Sequence, residues 1–392
     1  MLSYTPGTNL SWRNDFMPGA FHHRSITRQA LASAGITDAG KLAEDYCIYP
    51  DCFHSRYEEI SPYLFIMDKV EFHYIPHTPV DEFYRYWDHI PGEGTRMLST
   101  LENRNLRFTE AGFKFYLEKS VAALRSGERE EAWKFLGCLL HFLEDSVFGV
   151  HALEGTDGTD IYVLDRLTGK DVAKYICSIP LNEELLSLQV TPQIFAFDIS
   201  EAVAILYAKQ AKAAASSRQA LFDMALGFIT GNPSRDVRAG EKVMFLNALQ
   251  LAADTIATTL AIAEQRAVPS PRRELAEFEP FHYPIGGGGS FQLRKYSVSS
   301  NTISFGVNLE ARLLYHLPEK SYSRFTALLC GRDAGGAEVE IINHGRTVKS
   351  FTIDTNTPVP VEIPEPGGVF GFITRAGRGK GELSVADGIL HR

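Results

Sequence analysis

Two apolar periodicities, one on each side of a composition break, predict a multidomain α + β chain. It comprises an all-helical domain over residues 1–268, a linker over 269–289 and an antiparallel β-sandwich over 290–392. Up to about residue 266, apolar side chains recur at helical spacing. Val268-Pro269-Ser270-Pro271-Arg272-Arg273 then opens a punctuated stretch, which closes on Gly286-Gly287-Gly288-Gly289. Beyond it the apolar period drops to two, and 392 residues are enough for two separate cores.

In chain order, Ile26, Ala30, Leu31 and Ala34 mark one face of a first helix that stops at Gly35. A second runs from Thr109, a good N-cap residue, to Arg125, and a third spans Glu128 to Phe148. Two long helices follow, Ile199 to Ile229 and Asp236 to Glu264, separated by Thr230-Gly231-Asn232-Pro233-Ser234. Predicted strands cover Thr302–Val307, Ser323–Cys330, Glu338–Ile342, Thr347–Ile353, Val359–Ile363 and Val369–Ile373. Short strands at that spacing, with Gly, Pro, Asn and Asp turns between them, read as a sandwich.

Charge and cysteine usage narrow the function classes. A net charge of -9 without any Lys/Arg-rich run argues against duplex nucleic acid as a partner, while single strands entering a cleft stay open. The cysteines Cys47, Cys52, Cys138, Cys177 and Cys330 are scattered, with no Cys-x-x-Cys, and read as core residues. No apolar run reads as long enough to span a membrane. Met1 to Trp12 lack a signal-peptide pattern, so the chain as written is expected either to work inside the cell or to be a mature form with an added Met1. The four-glycine run lacks a following Lys-Ser/Thr and reads as linker, not phosphate loop.

The third helix carries chemistry in its apolar stretch, Leu-Leu-His-Phe-Leu-Glu-Asp-Ser-Val-Phe-Gly-Val-His. His141 and Asp145 are four apart and share a face, and His151 follows just past the end. A buried carboxylate needs a positive partner, and imidazole plus carboxylate suits zinc. The same spacing also suits a hydrogen-bonded His/Asp pair inside a helical core. Other ligand types stand in separate motifs: Phe21-His22-His23-Arg24-Ser25-Ile26, Tyr49-Pro50-Asp51-Cys52 and Glu71-Phe72-His73-Tyr74-Ile75-Pro76-His77.

In this order the motifs resemble the zinc-dependent phospholipase C family and the related single-strand-specific zinc nucleases, over roughly residues 12 to 265. The resemblance rests on His23-x-x-Ile26, Asp51 after a Tyr-rich stretch, His73-Tyr74, and above all His-x-x-x-Asp-x-x-x-x-x-His, matched without a gap by His141, Asp145 and His151. Trp12 and Asp15 match the family's amino-terminal tryptophan and the acid three residues on. The resemblance implies one zinc on Asp51, His73, His141 and Asp145, with Asp145 bridging to a second held by His23 and Trp12. In the family that tryptophan is the free terminus, whereas here either residues 1–11 are removed or the Trp12 carbonyl or a water takes the place of the amine. A third ion would use His151, and since no histidine follows it before His282, either Glu154 or Asp160 stands in or that site is empty or binds a weaker metal.

The implied activity is metal-dependent phosphodiester hydrolysis, in which divalent ions neutralise the phosphoryl oxygens and supply a nucleophilic water. Asp51 is the first choice for general base and Asp15 the second, and a capping or turn role fits Asp15 equally. Zinc is the expected cofactor and a phosphoester, phospholipid included, the expected substrate. A nuclease or nucleotidase, or a binding protein that keeps its metal without turnover, stays open. His22, His54 and His77 read as bystanders. Phe83, Tyr84, Tyr86 and Trp87 would either line a substrate entrance or pack in the core. The C-terminal part resembles jelly-roll carbohydrate-binding modules through Leu314-Tyr315-x-Leu317-Pro318, Phe325-x-Ala327 and Val385-Ala386-Asp387-Gly388. Clostridial members of the phospholipase family use a C-terminal sandwich to grip membranes through calcium, so glycan and membrane-surface contact are both expected partners of this half.

Overall fold

The computed structural model describes residues 20–52, 55–65, 87–90, 94–97, 108–149, 168–232, 237–283, 285–286, 293–294, 296–307, 310–334, 336–353, 357–375 and 381–392. Helices dominate the first part of the chain and antiparallel sheets the last, as the two periodicities predict. The chain divides into two compact units. One gathers the described residues of Met1–Pro79, Phe115–Ile194 and Lys209–Glu264; the other gathers those of Val80–Lys114, Phe195–Ala208 and Gln265–Arg392.

The long helices are Ala20–Ser33, Phe108–Arg125, Arg129–Val147, Ile199–Thr230 and Val237–Ala263, within a residue of the sequence expectation at their described ends. Ala20–Ser33 stops where Gly35 turns left-handed at φ 68°, and Ile36 N–H donates back to Leu31 O at 2.9 Å. That closure satisfies a carbonyl the helix end would otherwise strand. Arg129–Val147 places Glu130 and Glu131 in its first turn, where the helix dipole favours them. Val237–Ala263 corrects the membrane expectation: its 27 residues are long and apolar enough to cross a bilayer. Its Phe245, Leu249, Ala252 and Ile256 are instead fully buried, and its apolarity matches the helical core it enters.

Eight strands make two four-stranded faces of the sandwich, Thr302–Gly306, Glu310–Leu317, Arg324–Arg332, Ala337–Asn343, Arg346–Ile353, Val359–Pro364, Gly368–Arg375 and Glu382–His391, and Tyr296–Ser299 extends one of them beside Thr302–Gly306. Numbered one to eight in that order, one sheet runs 1-8-3-6 and the other 2-7-4-5, which is the jelly-roll connection. Phe325 of the first sheet meets Phe370 and Phe372 of the second at ring-centroid distances of 4.8 and 6.3 Å. These buried rings are the mid-line of the core.

Two of the eight strands lie outside the predicted set, and in each the alternation is interrupted once. In Glu310–Leu317, Leu313, Leu314 and Tyr315 are consecutively buried, because Leu314 packs with Phe281 and Ile342 in a cluster of its own. Glu382–His391 carries a register shift between Ala386 and Ile389, with Asp387 at φ 50°. Residues read as linker also carry structure: Arg272–Glu274 pairs with Ile389–His391, and Leu275, Phe278, Phe281 and Tyr283 are buried. Of the cysteines read as core, Cys47 and Cys138 are buried, whereas Cys52 and Cys330 are partly exposed; all four are free. Cys52 ends a surface turn, and Cys330 follows the inward-facing Leu329 on its strand.

Candidate metal centre

The centre grows from three local structures in the helical unit. On Ala20–Ser33, His23 and Thr27 are four apart and both buried. On Arg129–Val147, His141, Glu144 and Asp145 share one face at 2 %, 0 % and 1 % exposure. Three ionisable groups buried that deeply must neutralise one another or hold a cation. The third structure is the pair of tight turns Tyr46–Ile48 and Pro50–Cys52, which supply a backbone carbonyl and Asp51.

Gly137 sets the approach of the first turn. A Cβ there would come 2.6 Å from both the Tyr46 carbonyl carbon and its oxygen, so only glycine lets that backbone lie on the helix. One helical turn on, His141 Nδ1 donates to the Cys47 carbonyl at 2.9 Å. A carbonyl can only accept, so the proton sits on Nδ1 and the Nε2 lone pair faces the cluster. Asp145 Oδ2 lies 3.1 Å from that Nε2 and Asp51 Oδ1 lies 3.6 Å from it. Asp51 is 24 % exposed, the only one of these side chains open to solvent.

His23 completes the arrangement. Its ring stacks on His141 at 4.1 Å with a 23° tilt, and its Nε2 lies 3.1 Å from Asp145 Oδ1. Each oxygen of Asp145 thus addresses one imidazole. His23 Nδ1 meets Glu144 Oε2 at 2.7 Å, and Thr27 Oγ1 donates to Glu144 Oε1 at 2.8 Å. Burial by itself depresses the His23 pKa, but the charges and hydrogen bonds of Asp145 and Glu144 outweigh it and hold the imidazole well above its ordinary value. Burial pushes the Glu144 carboxyl up, with His23 and Thr27 pulling the other way. The local field therefore favours positive charge beside His23.

The donor set fits a divalent metal. His23, His141 and Asp145 each offer one ligand atom, and the three atoms lie within 4.8 Å of one another. Asp145 reaches the Nε2 side of both rings and Nδ1 of both rings is already engaged, so a metal that displaces the Nε2 proton of His23 would find both remaining nitrogens turned toward one carboxylate. Asp51 stands at the exposed edge of the same group. The structure therefore brings together His23, Asp51, His141 and Asp145. Trp12, Asp15, His54, His73, His77, His151, Glu154 and Asp160 lie outside the described residues, as do Phe83, Tyr84 and Tyr86. Trp87 opens the Trp87–Ile90 strand, which pairs with Gly94–Met97. His22 turns aside, its ring 5.4 Å from that of Phe148.

Sequence reasoning missed Glu144, Thr27 and the Cys47 carbonyl. Glu144 was open to view as a second acid in an apolar run, three residues after His141, and Thr27 as the residue four after His23. The carbonyl carries no side-chain signal.

No protein-family model and no curated protein matches the chain. Among solved structures, it is similar to the α-toxin of Clostridium perfringens from avian strain SWCP at a TM-score of 0.30 and 12 % identity, over 92 % of this chain and 81 % of that one. It is similar to the alpha toxin of Clostridium absonum at a TM-score of 0.35 and 10 % identity, over 94 % and 91 % of the two chains.

Proposed function

We propose that this chain is a metal-dependent phosphoester hydrolase of phospholipase C type, with zinc as its cofactor. The observation that carries the reading is the placement of Asp145 between two imidazoles whose Nδ1 atoms are both occupied, with the partly exposed Asp51 beside them. His23, His141, Asp145 and Asp51 would hold metal. Bound divalent ions would neutralise a phosphoryl group and make a water nucleophilic near neutral pH. Asp51 has the exposure to meet that water, and its carboxylate is the group assigned to accept the proton. Glu144, His23 and Asp145 are buried too deeply for the task and serve as the fixed base of the site.

His73 and His151, with Trp12, Asp15 and Glu154, extend the proposed ligand set by resemblance in sequence. A phospholipid substrate and a membrane- or glycan-directed sandwich are part of the same proposal. Elemental analysis of protein purified with zinc, alongside assays on a phosphocholine ester, a phosphatidylcholine vesicle and single-stranded DNA, tests it. Two or more zinc equivalents per chain with choline-ester hydrolysis is the expected result. Metal binding with DNA cleavage alone would move the reading to a nuclease, and absence of stoichiometric metal would overturn it.

A further inference from the structure

We infer that Glu144 is a positioning residue that fixes His23 as the Nδ1–H tautomer and so aims the His23 Nε2 lone pair at the metal beside Asp145. The inference rests on the metal-site reading above. It starts from an asymmetry between the two imidazoles. His141 has its tautomer set by a neutral backbone carbonyl, that of Cys47 at 2.9 Å. His23 has its Nδ1 against a carboxylate oxygen at 2.7 Å, a charged acceptor in a fully buried place. A charge-assisted hydrogen bond of that kind is about twice as strong as a neutral one, and it makes the opposite nitrogen a better donor to a metal.

Glu144 is held as firmly as it holds. Its second oxygen takes the Thr27 hydroxyl at 2.8 Å, so both oxygens bind side chains four residues apart on Ala20–Ser33. The carboxylate thereby fixes the ring and the helix that carries it in one contact. Without that acceptor, His23 would be free to protonate Nε2 and donate it to Asp145 Oδ1 at 3.1 Å, a closed pair with no lone pair left for a metal. Glu144 thus selects between a metal site and a buried ion pair made from the same two residues.

The test uses the full chain and zinc alone, with a competing chelator to read affinity. Glu144→Gln keeps an acceptor oxygen but removes the charge, and Glu144→Leu removes both. Expected zinc affinity falls by about 10- to 100-fold in Glu144→Leu and by less in Glu144→Gln. Thr27→Val, which leaves the carboxylate in place, should shift it least. Proton–nitrogen NMR of metal-free protein, recorded at a pH above the raised His23 pKa where the ring is neutral, should show His23 as Nδ1–H in the wild type and as Nε2–H in Glu144→Leu, a change that a merely structural role would not produce. Unchanged affinity, or an unchanged tautomer in folded Glu144→Leu, overturns the inference. A wild type that binds zinc, shows the graded loss and hydrolyses no phosphoester upholds this role while overturning the hydrolase reading.

Discussion

Asp145 presents one oxygen to each of two imidazoles, so Asp145→Asn exchanges a shared negative charge for an amide that can satisfy neither a cation nor two lone pairs. Zinc content should drop to well under one equivalent, with hydrolysis reduced by at least about 100-fold. Full metal content by elemental analysis in this variant would show that the carboxylate bridges nothing. His141→Ala should lose the metal nearest Asp51 and retain part of the one beside His23. At this scale the sequence was informative where a polar residue stood in an apolar run, since burial of His141 and Asp145 follows from helical phase alone. It was silent where the partner came from far along the chain: the Glu144–His23 contact joins residues 121 positions apart, and no local pattern encodes such a meeting.

Elements position these residues through close packing, and Gly137 shows how. Gly137→Ala would push the Tyr46 backbone off the helix, at a cost of about 1–3 kcal/mol, and carry the Cys47 carbonyl away from His141. Lower thermal stability together with weaker zinc binding is expected; loss of stability with unaltered zinc affinity would separate the turn from the site. Near the start of Val237–Ala263, burial raises the Glu241 pKa above 4.5 against the pull of the Asn182 N–H and Arg238. The folded state then holds this proton more tightly than the unfolded one, so the contribution is present below the ordinary carboxylate pKa and is lost as pH rises through the raised value. Glu241→Gln, which keeps an acceptor for Asn182, should gain stability relative to wild type as pH rises above the ordinary carboxylate pKa; parallel melting profiles would refute it. Most elements were legible from periodicity. Those that were not are strands such as Glu310–Leu317, where a second apolar cluster buries what alternation would leave exposed, and Arg272–Glu274, where proline punctuation masks a segment whose following aromatics are buried.

For the whole chain, the boundary between the two compact units falls inside two helices, after Lys114 in Phe108–Arg125 and after Ala208 in Ile199–Thr230. Composition could not reveal this, because a helix crosses such a boundary without any change of period. In the sandwich-containing unit the fully buried Glu201 receives Arg273 at 3.0 Å, Arg392 at 2.5 Å, the Tyr322 hydroxyl at 3.2 Å and the Phe197 N–H at 3.1 Å. Glu110 in the same unit meets His316 Nδ1 at 2.8 Å. Both acids belong to helices, and most of their partners lie beyond residue 274. A chain ending at Glu274 would keep Arg273 but strip Tyr322 and Arg392 from Glu201, His316 from Glu110, and the strand partner from Arg272–Glu274. Breaking a buried ion pair from one side costs about 3–5 kcal/mol, a large share of a domain's stability. The truncated chain is therefore expected to be insoluble or partly unfolded by circular dichroism. Full-length Glu201→Ala should melt at a lower temperature for the converse reason, since it leaves two guanidinium groups facing each other. A soluble truncated chain with intact helical signal would show that residues 195–208 hold their place without the sandwich.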